Sequence, residues 1–169
     1  MSVINKNTGF SLVEVLTVVA IIGIMSAIAM PPMFSWLSNK GLQSAGRDLY
    51  SNMRKAQSTA VKNNRNCAVS FDASGYMVYV DEDKSFSHDA SEEQIIAQVL
   101  WSQYRNVQVD GVGWVNFDNT SGKPTIAIQP NLIPADNGGG IANGTVKLKN
   151  SNSRNLEVVV SISGNISLK

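Results

Sequence analysis

The sequence predicts an α+β fold, in which one long N-terminal helix packs through its C-terminal half on a β-rich antiparallel globular domain. No side chain from Val15 to Asn39 carries a charge, and apolar residues then recur at spacings of three to five as far as Ala60. Both patterns are typical of a helix that is first wholly apolar and then amphipathic. From Asn66 onward the apolar period changes to two, with many β-branched and aromatic residues, which indicates strands.

The first element is an apolar run that follows a polar leader ending at Gly9 and continues to about Met33. About 20 apolar residues are enough to cross a bilayer as a helix. An ordinary secretory signal has its small-residue cleavage site after the apolar core, whereas here Gly9 comes before it. Glu14 is the one charge in the run, and a carboxylate in lipid costs up to a few kcal/mol. We therefore expect Glu14 to have a partner.

The second half of the helix follows Pro31 and Pro32, which predict a kink or local melting near residues 29–33 because proline removes a backbone donor. The helix is expected to span residues 10–62 in all and to stop at Asn63-Asn64. The apolar stripe of its second half is expected to pack on a sheet. The stripe comprises Phe34, Leu37, Leu42, Ala45, Leu49, Met53, Ala56 and Ala60.

The remainder of the chain is predicted to form short strands. Ala73-Ser74-Gly75 and Ser163-Gly164-Asn165 are turn sequences that pair the first two and the last two strands as hairpins. Asp118–Lys123 and Pro134–Gly144 are predicted loops. The predicted strands are Asn66–Asp72, Tyr76–Asp81, Ile95–Trp101, Val107–Val109, Val115–Phe117, Thr125–Ile128, Thr145–Lys149, Leu156–Ile162 and Ile166–Leu168.

Composition excludes several classes of function. The net charge of +1 offers no argument for nucleic acid, and the single cysteine, Cys67, excludes an intramolecular disulfide and is interpreted as a buried apolar residue. His88 is the one histidine, so neither a histidine-based metal site nor a Ser-His-Asp triad can be built. We predict a protein that is not an enzyme and holds no cofactor.

An acidic group, residues 81–83 with Asp89, Glu92 and Glu93 nearby, offers hard oxygen ligands of the kind that calcium prefers. We interpret this group as a solvated acidic loop that lacks the ligand spacing of an EF-hand loop. No metal site is therefore predicted.

The stretch Gly9-Phe10-Ser11-Leu12-Val13-Glu14, followed by the apolar run and then Pro31, resembles the class III signal of type IV pilins and pseudopilins. The resemblance implies that a prepilin peptidase cuts between Gly9 and Phe10 and that the new terminal Phe10 is N-methylated. It also implies that Glu14 pairs with the terminal amine of a neighbouring subunit during filament assembly. The physics agrees, because a carboxylate and an ammonium attract strongly in a dry helical bundle, where either alone is penalised.

One N-terminal helix followed by short strands is similar to the GspH/FimT subgroup of minor pilins and pseudopilins. The similarity extends through Leu42–Leu49, Arg54–Ala60 and Asn64–Phe71. It implies a pilin-like fold with a leader at residues 1–9, a transmembrane and filament-core helix at 10–33, an amphipathic half at 34–62 and a β-rich domain at 63–169.

Some members of the FimT type resemble DNA receptors and carry a Gly-Arg-x-Arg motif in the C-terminal strand. Here Gly164 is present, but Asn165 and Ser167 stand where the arginines would be. Neutral side chains release no counterions from phosphate, which argues against DNA binding. The basic residues that could compensate are Lys147, Lys149, Arg154 and Lys169.

The sequence thus predicts a minor pilin-like structural subunit of a type IV pilus. Its expected partners are prepilin peptidase, the inner membrane and other pilin or pseudopilin subunits. The protein is expected to be a single-pass inner-membrane protein with a periplasmic domain before it enters a filament. Two alternatives stay open, a minor pseudopilin of type II secretion and a DNA-binding pilus subunit in DNA uptake.

Overall fold

The computed structural model describes residues 9–86, 94–115, 124–135 and 140–169, and for Pro31, Trp114 and Val115 it describes the backbone alone. The chain divides into two compact units, Met1–Trp36 and Leu37–Lys169. The first unit contains the apolar half of the helix. The second contains the amphipathic half and every strand of the described residues.

Helix α1 spans Leu12–Asn63, which confirms the predicted long helix to within two residues at either end. It is helical at every residue from Ala29 to Met33, so the local melting predicted at Pro31 and Pro32 is absent from this described stretch. The kink at the two prolines stays a prediction.

The C-terminus of α1 is closed by a left-handed residue, Asn64, with φ of 52°. The N–H of Arg65 donates to the carbonyl of Ala60 at 3.2 Å, and the N–H of Asn64 donates to the carbonyl of Val61 at 3.4 Å. This pair of bonds is a Schellman motif, which satisfies the last helical carbonyls and favours asparagine or glycine at the left-handed position. The predicted stop at Asn63-Asn64 is confirmed.

The apolar stripe of α1 is buried from Leu42 onward, whereas Leu37 is half-buried and Phe34, in the first unit, is exposed. The buried stripe belongs to one core together with the inner faces of both sheets. The predicted packing of the helix on a sheet is therefore confirmed for its last five turns. The stripe residues in this core are Leu42, Ala45, Leu49, Met53, Ala56 and Ala60.

The first sheet is antiparallel and has the order β3-β2-β1-β5-β6. The predicted hairpin of β1 and β2 is confirmed, and its register places Phe71 opposite Tyr76. Asp72 Oδ1 closes the turn by accepting the N–H groups of Ser74 and Gly75, each at 2.8 Å. The strands are β1 Asn66–Phe71, β2 Gly75–Asp81, β3 Ile95–Leu100, β5 Thr125–Ile128 and β6 Pro134–Ala135.

The second sheet is antiparallel with the order β4-β7-β8-β9. Two short strands were expected in the region of β4, but a single strand runs through it because a register shift between Val109 and Gly111 accommodates Asp110. The predicted extension to Phe117 lies outside the described residues. The strands are β4 Val107–Val115, β7 Asn143–Asn150, β8 Asn155–Val160 and β9 Ile166–Leu168.

Two further predictions need correction. Trp101, expected to end β3, begins a 3-10 turn at Trp101–Gln103 and is buried. Part of the predicted loop Pro134–Gly144 is paired, since β6 lies beside β5 and β7 begins at Asn143. Proline is tolerated in β6 because that strand lies at the edge of the sheet. Residues 136–139 and the predicted loop Asp118–Lys123 lie outside the described residues.

The centre of the core is aromatic. The ring of Tyr76 lies 5.9 Å from that of Phe71 and 5.3 Å from that of Trp101 between centroids, within the range of favourable aromatic pairs. Cys67 is fully buried in the same core, and burial, with a smaller contribution from the charge of Asp81, raises the pKa of its thiol to about 11. Its interpretation as a small buried residue is confirmed.

Candidate functional site

The apolar half of α1 is the most unusual surface in the described part of the chain. An 18-residue window of α1 has a mean hydropathy of 2.5, and none of that window is buried within the chain. By length and composition this helix is able to cross a membrane. A signal sequence near an N-terminus can be as long and as apolar. A helix that served as the core of a soluble domain would instead bury much of this surface. Large apolar side chains such as Ile21, Ile24 and Ile28 are more than half exposed.

Glu14 lies in the first turn of α1, where the helix dipole favours a negative charge. The turn begins at Ser11, whose carbonyl accepts the N–H groups of Glu14 at 3.0 Å and Val15 at 3.2 Å. The Glu14 side chain is exposed and has no ion pair with any described residue. The arrangement leaves its carboxylate available to a group outside this chain.

The hydroxyls of Thr17 and Ser26 in the apolar segment are satisfied inside the helix. The hydroxyl of Thr17 donates to the carbonyl of Val13 at 2.8 Å, and that of Ser26 donates to the carbonyl of Ile22 at 2.7 Å. Such bonds to the preceding turn remove the cost of placing a hydroxyl in an apolar environment. Glu14 differs from these two hydroxyls, because no described residue forms an ion pair with its carboxylate.

Gly9 and Phe10 lie just before the helix, and both are exposed. A Cβ added at Gly9 would meet no atom within 4 Å. Packing against the described residues therefore supplies no reason for a glycine at this position, which leaves recognition by another molecule as the reason to consider.

The turn before β9 is docked on α1 by polar contacts that the sequence did not indicate. Gln57, which is buried, donates through Nε2 to the carbonyl of Gly164 at 2.6 Å. Arg54 reaches Asn165 Oδ1 and the carbonyl of Ile166, each at a long 3.5 Å. The only signal in the sequence was the position of Gln57, a polar residue directly after Ala56 of the apolar stripe.

Gly164 itself is required by the fold. Its φ is 76°, and a Cβ there would lie 1.9 Å from the carbonyl oxygen of Leu132. Glycine is the residue that tolerates such a conformation and such a close approach. The glycine shared with the DNA-receptor motif is thus explained by the turn without any DNA contact.

The basic residues considered for DNA are spread over the second sheet. Lys147 and Lys149 project from the exposed face of β7, where Lys147 Nζ lies 3.1 Å from Glu157 Oε1 and Lys149 Nζ lies 3.7 Å from Asp110 Oδ1. A carboxylate beside each lysine reduces the positive potential that phosphate would meet. Arg154 precedes β8, and Lys169 follows β9 with its backbone paired to Glu157.

The acidic group predicted as a loop is only partly described. Asp81 ends β2 and is buried, whereas Glu82 and Asp83 are exposed. Within the described ranges no three histidine, cysteine, aspartate or glutamate side chains group together as metal ligands. His88, Asp89, Glu92 and Glu93 lie outside those ranges.

Two family models match the chain. One, described as the type II transport protein GspH, matches residues 45–164, well over half of the chain. The other, described as the prokaryotic N-terminal methylation motif, matches residues 4–30. No curated protein sequence gives a significant match.

Solved structures with a similar fold include the type IV minor pilin FimU of Pseudomonas aeruginosa, in two crystal forms. In space group P65 the identity is 15% and the TM-score 0.52, over 76% of this chain and 92% of that one. In space group P21 the identity is 14% and the TM-score 0.53, over 79% and 92% of the two chains. At these identities the likeness is one of fold, and it confirms the predicted arrangement of a long helix with antiparallel sheets.

Proposed function

The chain belongs to the GspH family of pilin-like proteins, and from that premise we propose that it is a minor structural subunit of a type IV pilus. The observation that carries the proposal is the apolar 18-residue window of α1, of which no residue is buried, whereas the unit Leu37–Lys169 has a core of its own. Each large apolar side chain gains about 1.5–3 kcal/mol on burial. Lipid would supply that burial before assembly, and neighbouring helices would supply it in the filament.

The proposed processing removes residues 1–9 and methylates the new terminal amine of Phe10. The match to the methylation motif supports it, as does the exposed position of Gly9, where an added Cβ meets no atom of a described residue within 4 Å. The remaining protein would be anchored in the inner membrane by residues 10–33, with the amphipathic half at 34–62 and the β-rich domain at 63–169 in the periplasm. Prepilin peptidase is the proposed processing enzyme.

Processing is tested by mass spectrometry of the protein from cells with and without the prepilin peptidase. We expect a cut between Gly9 and Phe10 and one added methyl group only when the peptidase is present. Gly9→Val should block the cut without disturbing the fold, because the added side chain meets open space. Gly23→Ala, which also meets open space, is the matched control and should be cut normally. Processing of the Gly9→Val protein at the normal rate would contradict the proposed recognition.

The proposed assembly step pairs the Glu14 carboxylate with the Phe10 ammonium of a neighbouring subunit. Its support is the exposure of Glu14 and the absence of an ion pair to it among the described residues. Glu14→Ala should insert into the membrane and be cut, yet be depleted from sheared filaments. Thr17→Val, a neutral change one turn later, is the control and should assemble. Assembly of Glu14→Ala as efficient as that of the parent would refute the pairing.

A type II secretion pseudopilin is the second candidate, favoured by the description of the matching family model. The same helix would then enter a short periplasmic pseudopilus. A clean deletion separates the two: loss of surface pili with normal protein secretion supports the pilus, and loss of secretion with normal pili supports the pseudopilus. Complementation by the parent chain is the control.

DNA uptake is not our proposal, because the lysines of β7 lie beside carboxylates and the glycine of the turn has a structural role. A gel-shift titration of the protein at low and moderate salt tests this choice. A salt-sensitive shift that Lys147→Ala and Lys149→Ala weaken would reverse it.

A further inference from the structure

Asp81 is a buried carboxylate with one oxygen, Oδ2, that lacks a hydrogen bond to the described residues. Its exposed fraction is 1%, its Oδ1 accepts the N–H of Ser85 at 3.1 Å, and its Oδ2 is buried without a hydrogen-bond partner in the described part of the chain. No basic side chain of the described residues forms an ion pair with it. Burial, and secondarily the charge of Asp83, raises the pKa of Asp81, while the backbone N–H of Ser85 opposes that shift. Such a group calls for a proton or a cation.

The carboxylate of Asp83 faces the same backbone N–H group as the carboxylate of Asp81. The N–H of Ser85 is shared, since it also donates to Asp83 Oδ1 at 2.9 Å. Two carboxylates that point at one donor repel each other unless a positive species lies between or beside them. Asp83 is exposed, so water and ions reach its carboxylate, which lies beside the buried carboxylate of Asp81.

The backbone of the loop has the turn that a calcium loop needs. An EF-hand loop takes ligands from its first, third and fifth residues and has glycine at the sixth, where the chain turns sharply. Counted from Asp81, the third residue is Asp83, the fifth is Ser85 and the sixth is Phe86, whose φ is 59°. Phe86 adopts this glycine-like conformation while its side chain is buried beside Ala127 and Ala135.

The interpretation that this acidic group lacks EF-hand spacing is therefore wrong. The spacing is present from Asp81 onward, and the departure is phenylalanine in place of the sixth-position glycine. In the sequence Asp89 and Glu92 occupy the ninth and twelfth positions, but both lie outside the described residues. The inference is carried by Asp81, Asp83 and the turn at Phe86.

The site opens onto a cavity of about 630 Å³ that Asp81, Glu82 and Phe86 help to line. Glu82 is held by an ion pair with Arg65, so it is occupied elsewhere. Arg65 and Lys84, which also line the cavity, lower the affinity of any cation. The cavity supplies a route for a hydrated ion and room for the waters that complete its coordination.

We propose that the loop beginning at Asp81 binds one calcium ion through the carboxylates of Asp81 and Asp83, with backbone oxygens and water as further ligands. Calcium fits better than magnesium because it accepts irregular, flexible oxygen coordination, whereas magnesium demands a near-ideal octahedron. The site has two described carboxylates, and the side chains of Arg65 and Lys84 nearby are positively charged. The expected Kd for calcium is therefore about 0.1–1 mM, as in extracellular calcium modules.

The test is calorimetric titration of CaCl₂ into EDTA-treated full-length protein in mild detergent, with MgCl₂ as the comparison. We expect saturable binding of one calcium per chain and at least tenfold weaker magnesium binding. At calcium a hundredfold above Kd, the melting temperature should rise by about 5–10 °C. The absence of saturable calcium binding would show that Asp81 holds a proton instead and would overturn the proposal.

Variants locate the ion. Asp83→Asn removes an exposed carboxylate and is expected to fold, yet to weaken calcium binding at least tenfold. Glu82→Gln removes the same charge from the adjacent residue and should change Kd by less than about twofold. Asp81→Asn should abolish calcium binding. If that variant does not fold, the comparison of Asp83→Asn with Glu82→Gln still tests the site. Equal weakening by Asp83→Asn and Glu82→Gln would mean diffuse attraction to an acidic surface and would refute the site.

Discussion

The phenol of Tyr76 links the helix to the first sheet, and its removal should change how stability depends on alkaline pH. Tyr76 is buried in the aromatic centre of the core, and its hydroxyl accepts a hydrogen bond from Asn52 Nδ2 at 2.8 Å. Burial raises the pKa of Tyr76 to about 12; the hydrogen bond from Asn52 opposes the shift and the charge of Asp48 adds to it. Tyr76→Phe removes the titrating group and keeps the ring.

The magnitude follows from the pKa of Tyr76 in the two states. In the unfolded chain a tyrosine titrates near 10, so the stability from burying the neutral phenol is complete below pH 10 and is lost as pH rises through 12. The loss is about 1.4 kcal/mol at pH 11 and approaches about 2.7 kcal/mol above pH 12. Near neutral pH the variant is less stable by about 1 kcal/mol, the net value of the hydrogen bond with Asn52.

The assay is denaturant unfolding of the full-length protein in mild detergent at pH 8 and pH 11. The free energy of unfolding of the parent minus that of Tyr76→Phe should fall by about 1.4 kcal/mol, from about 1 kcal/mol at pH 8 to about −0.4 kcal/mol at pH 11. Asn52→Ala is the control, because it loses the same hydrogen bond but keeps the phenol and therefore keeps the alkaline loss. Tyr104, whose pKa is raised by burial, by Asp48 and least by Tyr76, is present in all three proteins, so only the small contribution of Tyr76 to its titration differs between them. A gap that stays constant from pH 8 to pH 11 would refute the reasoning.

Three further predictions concern the unit Leu37–Lys169. Gly164→Ala should lower the free energy of unfolding by about 2–3 kcal/mol, because the φ of Gly164 is positive and an added Cβ meets a backbone carbonyl. Gly111→Ala is the control and should not destabilise the protein, because a Cβ there meets open space. Thermal melting compares the two variants. Cys67 should resist thiol reagents at pH 8 until the protein unfolds, because with a pKa of about 11 only about one Cys67 side chain in a thousand is a thiolate. Rapid labelling of the native protein would contradict this prediction. Leu49→Ala should lower the free energy of unfolding by about 2–5 kcal/mol, because the Leu49 side chain is fully buried. Val61→Ala, on the exposed face of the helix, should lower it by about 0.5 kcal/mol or less. Equal losses in denaturant unfolding would contradict the observed packing.

Local signals in the sequence were sufficient where a single element decides its own structure. The end of α1 follows from Asn64, because asparagine tolerates the left-handed conformation that closes a Schellman motif. The buried stripe follows from helical spacing alone. The two hairpins follow from short turn sequences between apolar runs, since the turn sets the register of both strands.

Structure that depends on partners distant in sequence was not predictable in this way. Pro134–Ala135 carries no strand signal, and it is a strand because β5 offers an edge to pair with. β4 is continuous because β7 pairs with it on both sides of Asp110, a bulge that local propensity does not encode. Trp101 leaves the strand for a turn that places its ring on Tyr76.

The sequence by itself determined the long helix, its uncharged first half with one carboxylate at Glu14, and the alternation of the strands, because these depend on the order of side chains along the chain. Only the tertiary structure decided which polar groups the fold satisfies. It brings Gln57 to the carbonyl of Gly164 and buries an oxygen of Asp81 without a hydrogen-bond partner among the described residues. Hydrogen bonding and burial depend on groups brought together from distant parts of the chain, so they exist only once the sheets have closed on the helix.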